Sequence, residues 1–363
     1  MKKLDSCLII KNEEANIKPL MEQLLTFSHE IHITDTGSTD STLDILNEFA
    51  NNYDNVFIHH YEWDMNFSNA KNFSLHYVNN TSDYQFWCDG DDLLNDKLLE
   101  TLNKFVNDDS VECDIYYIKY QYYFGDTNPH FRTSILKTAT DLSWHDPIHE
   151  FIALIPNIKL SYSYFDNGSL IIHHRKEVHS DRNLQIFQNM EKEKWNFTAR
   201  NYYYYGVELM QHNLYDSAYN VFKKCIYFKD AGDTTDQINA LIYISLISFD
   251  DEWVDMFYHL LKQGIYRGDM FFYIGDYYFY QKNNKELAKM WYTCALNYKY
   301  NNFNSFNLHK ELITISPCLQ LGLIAYQEGD YKASIEYNQK VLEFDPNNEI
   351  AKNNILFLNN TTQ

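Results

Sequence analysis

The sequence predicts an α/β domain on a mixed, mostly parallel sheet, followed by an all-α repeat domain. Three observations carry that reading. Short apolar segments alternate with amphipathic ones up to about Lys176, the pattern of a parallel sheet with right-handed crossovers. One apolar segment, Gln85-Phe86-Trp87-Cys88, runs straight into the carboxylate cluster Asp89-Gly90-Asp91-Asp92. Beyond about Ser180 the strand signals stop, and Tyr, Phe, Leu and Ala recur at intervals of three and four to the C-terminus, which is helical spacing. The expected domains are 1–195 and 196–363.

In the first domain, strands are expected at 7–10, 31–34 and 56–59 and helices at 17–27 and 42–49. Asp35-Thr36-Gly37-Ser38-Thr39-Asp40 is a tight loop of turn formers at a strand's C-terminal end, with Asp40 or Ser41 available to cap the next helix. A helix at 98–106 follows, then a long strand at 114–124 rich in aromatic and β-branched residues, then shorter strands at 132–136 and 169–174. The sheet is expected to be mixed.

The second domain repeats its register. Gly206, Tyr215, Ala218, Phe222 and Cys225 keep the offsets of Gly322, Tyr331, Ser334, Asn338 and Val341, the latter set closing with Asp345-Pro346-Asn347-Asn348. Gly275, Ala288, Tyr292 and Ala295 form a third copy if one residue is inserted in its turn. Residues 240–261 are expected to hold another helix pair. The offsets resemble the tetratricopeptide repeat, in which a small residue on the first helix lets the second pack closely; a generic helical bundle has the same apolar spacing.

Length and charge bound the function. A chain of 363 residues exceeds one ordinary core, and 45% hydrophobic with 22% charged residues is normal for a globular protein. A net charge of −20, from 30 Lys+Arg against 50 Asp+Glu, argues against a nucleic-acid backbone as the main partner, since such binding needs clustered cations. No apolar run reaches the length of a membrane span, and the segment after Met1-Lys2-Lys3 is too short and polar for a signal peptide. A cytoplasmic location is expected. The six Cys are scattered without a CxxC pair, so neither a zinc knuckle nor a disulfide framework is indicated. An aromatic content of 17%, with 31 Tyr, would serve to coat a homodimer interface or to fill repeat cores.

Ligands of open α/β sheets bind at the C-terminal tips of the strands, and carboxylates gathered there repel one another unless a cation sits between them. A divalent metal holding a diphosphate satisfies both conditions, and Gly90 would let backbone approach such a ligand closely. A solvated acidic turn has the same composition.

Further motifs narrow the choice. Cys7-Leu8-Ile9-Ile10-Lys11-Asn12-Glu13-Glu14, Ile33-Thr34-Asp35-Thr36-Gly37-Ser38-Thr39-Asp40-Ser41-Thr42 and Trp63-Asp64-Met65-Asn66-Phe67-Ser68-Asn69-Ala70-Lys71-Asn72 appear in order before the Asp89 cluster. With it they resemble a family 2 glycosyltransferase of the GT-A fold over about the first half of the chain. That resemblance implies a nucleoside diphosphate sugar donor, UDP-linked because uracil offers one ring N–H to an ionised carboxylate. Ile10, Asn12 and Glu13 would line the nucleoside pocket and Asp35 would accept from the base. Asp89 would face the ribose or metal, Gly90 would approach the donor, and Asp91 would ligate Mn²⁺ or Mg²⁺, with Asp92 supporting from behind. Lys71 stands where the family usually carries Arg, so its contact with base or phosphate is less directional.

The resemblance extends to Trp144-His145-Asp146-Pro147-Ile148-His149-Glu150 on the acceptor side, where inversion needs a carboxylate to take the acceptor's proton. Glu150 is the first choice for that base. Asp146 is the second, Pro147 being expected to keep it extended toward the cleft; Glu150 would otherwise orient His149. His173 or His174 ends a strand where the family often has a metal-reaching His, and alternation lets only one enter the site; motif register favours His173. Arg132, Arg175 and Arg182 are further phosphate candidates. The expected acceptor is a peptide, protein or glycan, lipid being disfavoured. The contrasting expectation is a catalytically inactive scaffold whose repeats recruit partners.

Overall fold

The computed structural model describes residues 1–78, 82–108, 112–122, 130–138, 142–153, 159–173, 181–229, 234–248, 251–299 and 308–361. The chain divides into two compact units, Met1–Lys192 and Glu193–Gln363. Among the described residues no helix is long and apolar enough to cross a membrane.

The first unit runs β1 (Leu4–Ile10), α1 (Ile17–Leu24), β2 (Ile31–Asp35), α2 (Thr42–Asn52), β3 (Val56–His60), α3 (Phe67–Val78), β4 (Tyr84–Trp87), β5 (Asp92–Leu94), α4 (Asp96–Asn107), β6 (Ile115–Tyr122), β7 (His130–Lys137), β8 (Ser143–His145), β9 (Phe151–Ala153), β10 (Tyr162–His173) and α5 (Arg182–Lys192). Its main sheet has the order β3-β2-β1-β4-β7-β6-β10-β5, with β8 and β9 a separate hairpin. Strands β3, β2, β1 and β4 are parallel. Strand β7 lies antiparallel between β4 and β6, and β5 is antiparallel to β10, so the sheet is mixed.

Strand β1 is central, and Leu4, Cys7, Leu8 and Ile10 are all buried. That all-round apolarity is what a strand covered on both faces requires. One face packs Leu8, Ile33 and Phe86 against α1 and α4; the other packs Cys7 and Trp87 against Leu75 and Val78 of α3 and against Trp144.

Strand β10 starts earlier than expected, at Tyr162. Asp166-Asn167-Gly168 lies in an irregularity within the strand: the pairing to β6 shifts between Phe165 and Leu170, and Gly168 has φ +89°. Four residues of β10, 166–169, fall between pairings that are adjacent on β6, and the left-handed Gly168 among them lets the strand bend without ending. Residues 123–124, His174 and Arg175 lie outside the described residues.

The second unit contains α6 (Ala199–Gln211), α7 (Tyr215–Ile226), α8 (Thr235–Ile247), α9 (Glu252–Lys262), α10 (Gly268–Asp276), α11 (Lys285–Leu296), α12 (Ile315–Gln327), α13 (Tyr331–Phe344) and α14 (Glu349–Thr361). Each glycine of the repeated register meets the helix that follows it. A Cβ on Gly206 would lie 2.4 Å from the Phe222 ring, one on Gly275 2.7 Å from the Tyr292 ring, and one on Gly322 3.1 Å from Asn338 Nδ2. The residue inserted in the third copy is absorbed by a π-helical turn, Tyr277–Gln281, continuing from α10, the usual form of a one-residue helix insertion. Helices α8 and α9 are the pair expected at 240–261.

Candidate active site

The site grows from the C-terminal tips of β2, β1 and β4, which lie side by side. Asp35 at the end of β2 is in register with Ile10 at the end of β1. The Thr36 N–H and hydroxyl both donate to the Ile10 carbonyl, at 3.0 and 2.9 Å. Asn12 takes a left-handed φ of 57°; its N–H donates to Ser38 Oγ at 3.0 Å and its Oδ1 accepts from the Thr39 N–H at 2.7 Å. The Glu13 N–H donates to Thr42 Oγ1. The two loops are thereby stitched into one wall.

Buried Asp35 accepts from the Gly37 and Ser38 N–H groups at 3.0 and 3.1 Å, so its carboxylate also folds its own loop. Gly37, with φ +97°, supplies the turn that this needs. The carboxylate loop abuts the first wall at Gly90, where a Cβ would fall 2.8 Å from Ile10 Cγ2 and 2.9 Å from Glu13 Cγ.

Asp89 is gripped by Arg132 of β7 through two parallel bonds, Nη1 to Oδ2 at 2.7 Å and Nη2 to Oδ1 at 3.0 Å. Burial opposes its charge, and the Arg132 guanidinium overcomes this, holding the carboxyl well below the usual range. Asp92 is sealed beneath, accepting from the Asp89 N–H at 2.8 Å and the Tyr120 hydroxyl at 3.0 Å. Burial, together with repulsion from Asp89, raises its pKa.

His173 Nδ1 lies 3.3 Å from Asp91 Oδ1 and 3.2 Å from Asp92 Oδ1. Burial disfavours its charge, yet the bonds to Asp91 and Asp92 push its pKa up to about 10. Ligand atoms of Asp89, Asp92 and His173 all fall within 4.8 Å of one another. Two carboxylates and an imidazole form a donor set compatible with a divalent cation; without one, Arg132 and a protonated His173 balance the acids.

The loop of residues 144–150 is fastened to α3. The Asn72 side chain pairs with Trp144 backbone, Nδ2 to carbonyl at 2.9 Å and N–H to Oδ1 at 2.8 Å. The Ser68 hydroxyl donates to the Asp146 carbonyl and the Phe67 N–H to the Pro147 carbonyl. Asp146 has φ +70° and His149 φ +52°, so Pro147 does not keep Asp146 extended as the sequence suggested. The α3 anchors override the local pre-proline preference, and such left-handed non-glycine residues cluster at functional loops.

Lys71 is buried, with Nζ 2.5 Å from Glu150 Oε1 and 4.2 Å from the Trp144 ring centre. Burial works to raise the Glu150 carboxyl, and Lys71 outweighs it, so Glu150 titrates below its ordinary value. Asp89 is also influenced by Lys71 and His173, so Asp89 and Glu150 share one electrostatic environment.

Ile10, Asn12, Glu13, Asp35, Gly90 and the Asp89 cluster thus adjoin, with Lys71 and Glu150 linked to them. Arg182 instead stacks on Phe67, 4.8 Å from the ring centre. Tyr120 and the clamp role of Arg132 escape sequence reasoning. Ile118 pairs with Arg132 across β6 and β7, and an Arg two registers from Tyr120, in a strand of mixed polarity, is the trace it leaves in the sequence. A cavity of about 810 Å³ beside Thr26 and α4 involves none of these groups.

Residues 6–168 match the protein family described as Glycosyl transferase family 2. The match lies wholly within the first unit. The chain is also similar to the SPbeta prophage-derived glycosyltransferase SunS of Bacillus subtilis and to glycosyltransferase SunS of Bacillus phage SPbeta, each 24% identical over 271 residues and covering 70% of this chain. It spans 60% of the length of each. Among solved structures, S. aureus TarS 1–349 in complex with UDP-GlcNAc is 14% identical, with 82% of this chain and 93% of that one covered at a TM-score of 0.41.

Proposed function

We propose that the protein is an inverting, metal-dependent GT-A glycosyltransferase that moves a sugar from a nucleoside diphosphate donor, UDP-linked, to a peptide, protein or glycan. The observation that carries the proposal is the joining of three strand tips, with Asp35, Gly90 and the Asp89 cluster on adjoining walls. In this reading Ile10, Asn12 and Glu13 line the nucleoside, and Asp35 accepts from the base. Asp91 and His173 hold the metal with Asp89, Mn²⁺ suiting a set with imidazole better than Mg²⁺. When bound, the ion would neutralise charge on the departing diphosphate.

Glu150 takes the proton from the acceptor's nucleophilic atom as that atom bonds to the anomeric carbon and the bond to diphosphate breaks on the opposite face. Lys71 keeps Glu150 ionised beforehand, and Arg132 keeps Asp89 ionised and aimed. Asp146 is the alternative base. The second unit, read as tetratricopeptide repeats from residue 196, would offer an extended acceptor its concave surface. Incubation with UDP-sugars, Mn²⁺ and candidate acceptors, followed by mass spectrometry, tests this: a hexose-class mass increment is expected from the natural chain and not from Glu150→Gln.

A second reading draws on the ion pairs themselves. Asp89 and Glu150 are both already neutralised internally, as they would be in an inactive scaffold. Mn²⁺-dependent donor hydrolysis at equal, background rates in the natural chain and in Asp91→Ala would favour it.

A further inference from the structure

A second convergence of ligating side chains lies at the other end of the same strands. On the face covered by α3, Asp5 near the start of β1, Glu30 just before β2 and His32 within β2 direct their heteroatoms to one point. His32 Nε2 stands 3.2 Å from Glu30 Oε2 and 3.8 Å from Asp5 Oδ2, and the three ligand atoms all lie within 4.8 Å of one another. About five residues of β1, on the order of 16 Å, separate this point from Ile10 in the donor crevice.

The spacing is that of ligands around one ion. Tetrahedral zinc with bonds of about 2.0–2.2 Å sets its ligand atoms roughly 3.3–3.6 Å apart. The two observed separations bracket that value, and 3.8 Å is too long for a hydrogen bond. Asp5 is fully buried and His32 nearly so, so one carboxylate and the imidazole meet away from bulk water while Glu30 reaches the surface.

The surrounding groups hold these ligands as a second layer holds a metal site. Asp5 Oδ1 accepts from the Glu30 N–H and lies 3.1 Å from His29 Nδ1, which turns Oδ2 to His32. On its far side, His32 Nδ1 faces His59 Nε2 of β3 at 3.2 Å, and His59 stacks on Tyr77 of α3 at 3.7 Å. A metal-bound imidazole almost always gives its second nitrogen such a partner, which fixes ring orientation and tautomer. Glu30 and His29 are partly exposed, leaving an approach for an ion.

We propose that Asp5, Glu30 and His32 form a structural site for a zinc-class divalent ion, independent of the donor crevice, that ties the starts of β1 and β2 together and reaches β3 through His59. Imidazole with carboxylates selects zinc over Mg²⁺ or Ca²⁺.

The test uses the full chain, stripped with chelator and titrated with Zn²⁺ alone by calorimetry and thermal melting. The natural chain should take up zinc and melt on the order of 5 °C higher near a hundredfold excess over Kd. Glu30→Gln and His32→Gln should each weaken this uptake at least tenfold, while His173→Gln in the donor crevice should retain it. Glu30, being partly exposed, gives a variant that folds even where His32→Gln does not, and its UDP affinity should match the natural chain's. The proposal is overturned if the natural chain takes up no zinc, if Glu30→Gln keeps full affinity, or if uptake is lost with His173→Gln instead.

Discussion

Each unit of this chain contains an Arg–Asp pair bonded through two nitrogens, and the two pairs differ in what surrounds them. Arg267 and Asp269 at the start of α10 are almost wholly enclosed, their side chains 5% and 0% exposed, and Asn239 of α8 also accepts from the guanidinium. Arg132 and Asp89 are 23% and 34% exposed and stand beside Asp91, Asp92 and His173 within reach of the crevice. An enclosed pair fixes the packing of helices. On the function proposed above, an accessible pair among other charged groups is free to exchange partners when a ligand brings its own charge. On that reading, the same chemistry serves architecture in one unit and donor handling in the other.

Substitution can break this contrast. Asp91→Ala should lower sugar transfer on the order of 10²–10⁴-fold with little change in melting temperature, assayed by product formation beside calorimetry. Asp269→Ala should do the reverse. It leaves the buried Arg267 without its carboxylate and should cost about 3–5 kcal/mol in urea unfolding, with turnover per folded chain unaltered. An inversion of these outcomes would mean that the Asp91 cluster and the Arg267–Asp269 pair had been assigned the wrong uses.

The helical unit can be probed more finely at its glycines. Gly206→Ala drives a methyl against the Phe222 ring and should destabilise by about 1–3 kcal/mol. At Gly322 the neighbour is the movable end of Asn338 at 3.1 Å. There the gain in helix propensity, about 1 kcal/mol, should offset the crowding and leave stability within about 0.5 kcal/mol of the natural chain. Denaturation midpoints of the two variants check the difference.

The smallest expected effect is a pH dependence. Burial raises the Asp276 carboxyl to about 6, a bond from the Tyr292 hydroxyl only partly opposing it. The folded state therefore binds this proton more tightly than the unfolded chain does, and stability falls as pH rises from about 4 to 6. Asp276→Asn, whose amide oxygen still accepts from Tyr292, should flatten the melting temperature across that window.

Much of this was legible in the sequence, for identifiable reasons. Apolar segments such as 7–10 and 31–34 announced buried strands because both their faces are covered, and the glycine offsets announced helix pairs because Gly206, Gly275 and Gly322 each admit a neighbouring side chain. The carboxylate cluster was visible because it is contiguous. What stayed hidden depends on pairing across distance. Arg132 meets Asp89 only because β7 inserts antiparallel beside β4, and Tyr120 reaches Asp92 only through β6. The left-handed Asp146 was hidden because α3, seventy-odd residues earlier, holds its loop. The early start of β10 was masked because Asp166-Asn167-Gly168 is turn-like in composition while the irregularity it lies in is set by the neighbouring strand.

The most direct test of the central claim is calorimetric titration of UDP into the full chain with Mn²⁺, with Mn²⁺ plus chelator, and into Asp91→Ala with Mn²⁺. Binding in the first case, weakened at least tenfold in the other two, is the predicted result. UDP binding that ignores both the chelator and the substitution, or no binding at all, would contradict a crevice that grips its donor through a cation.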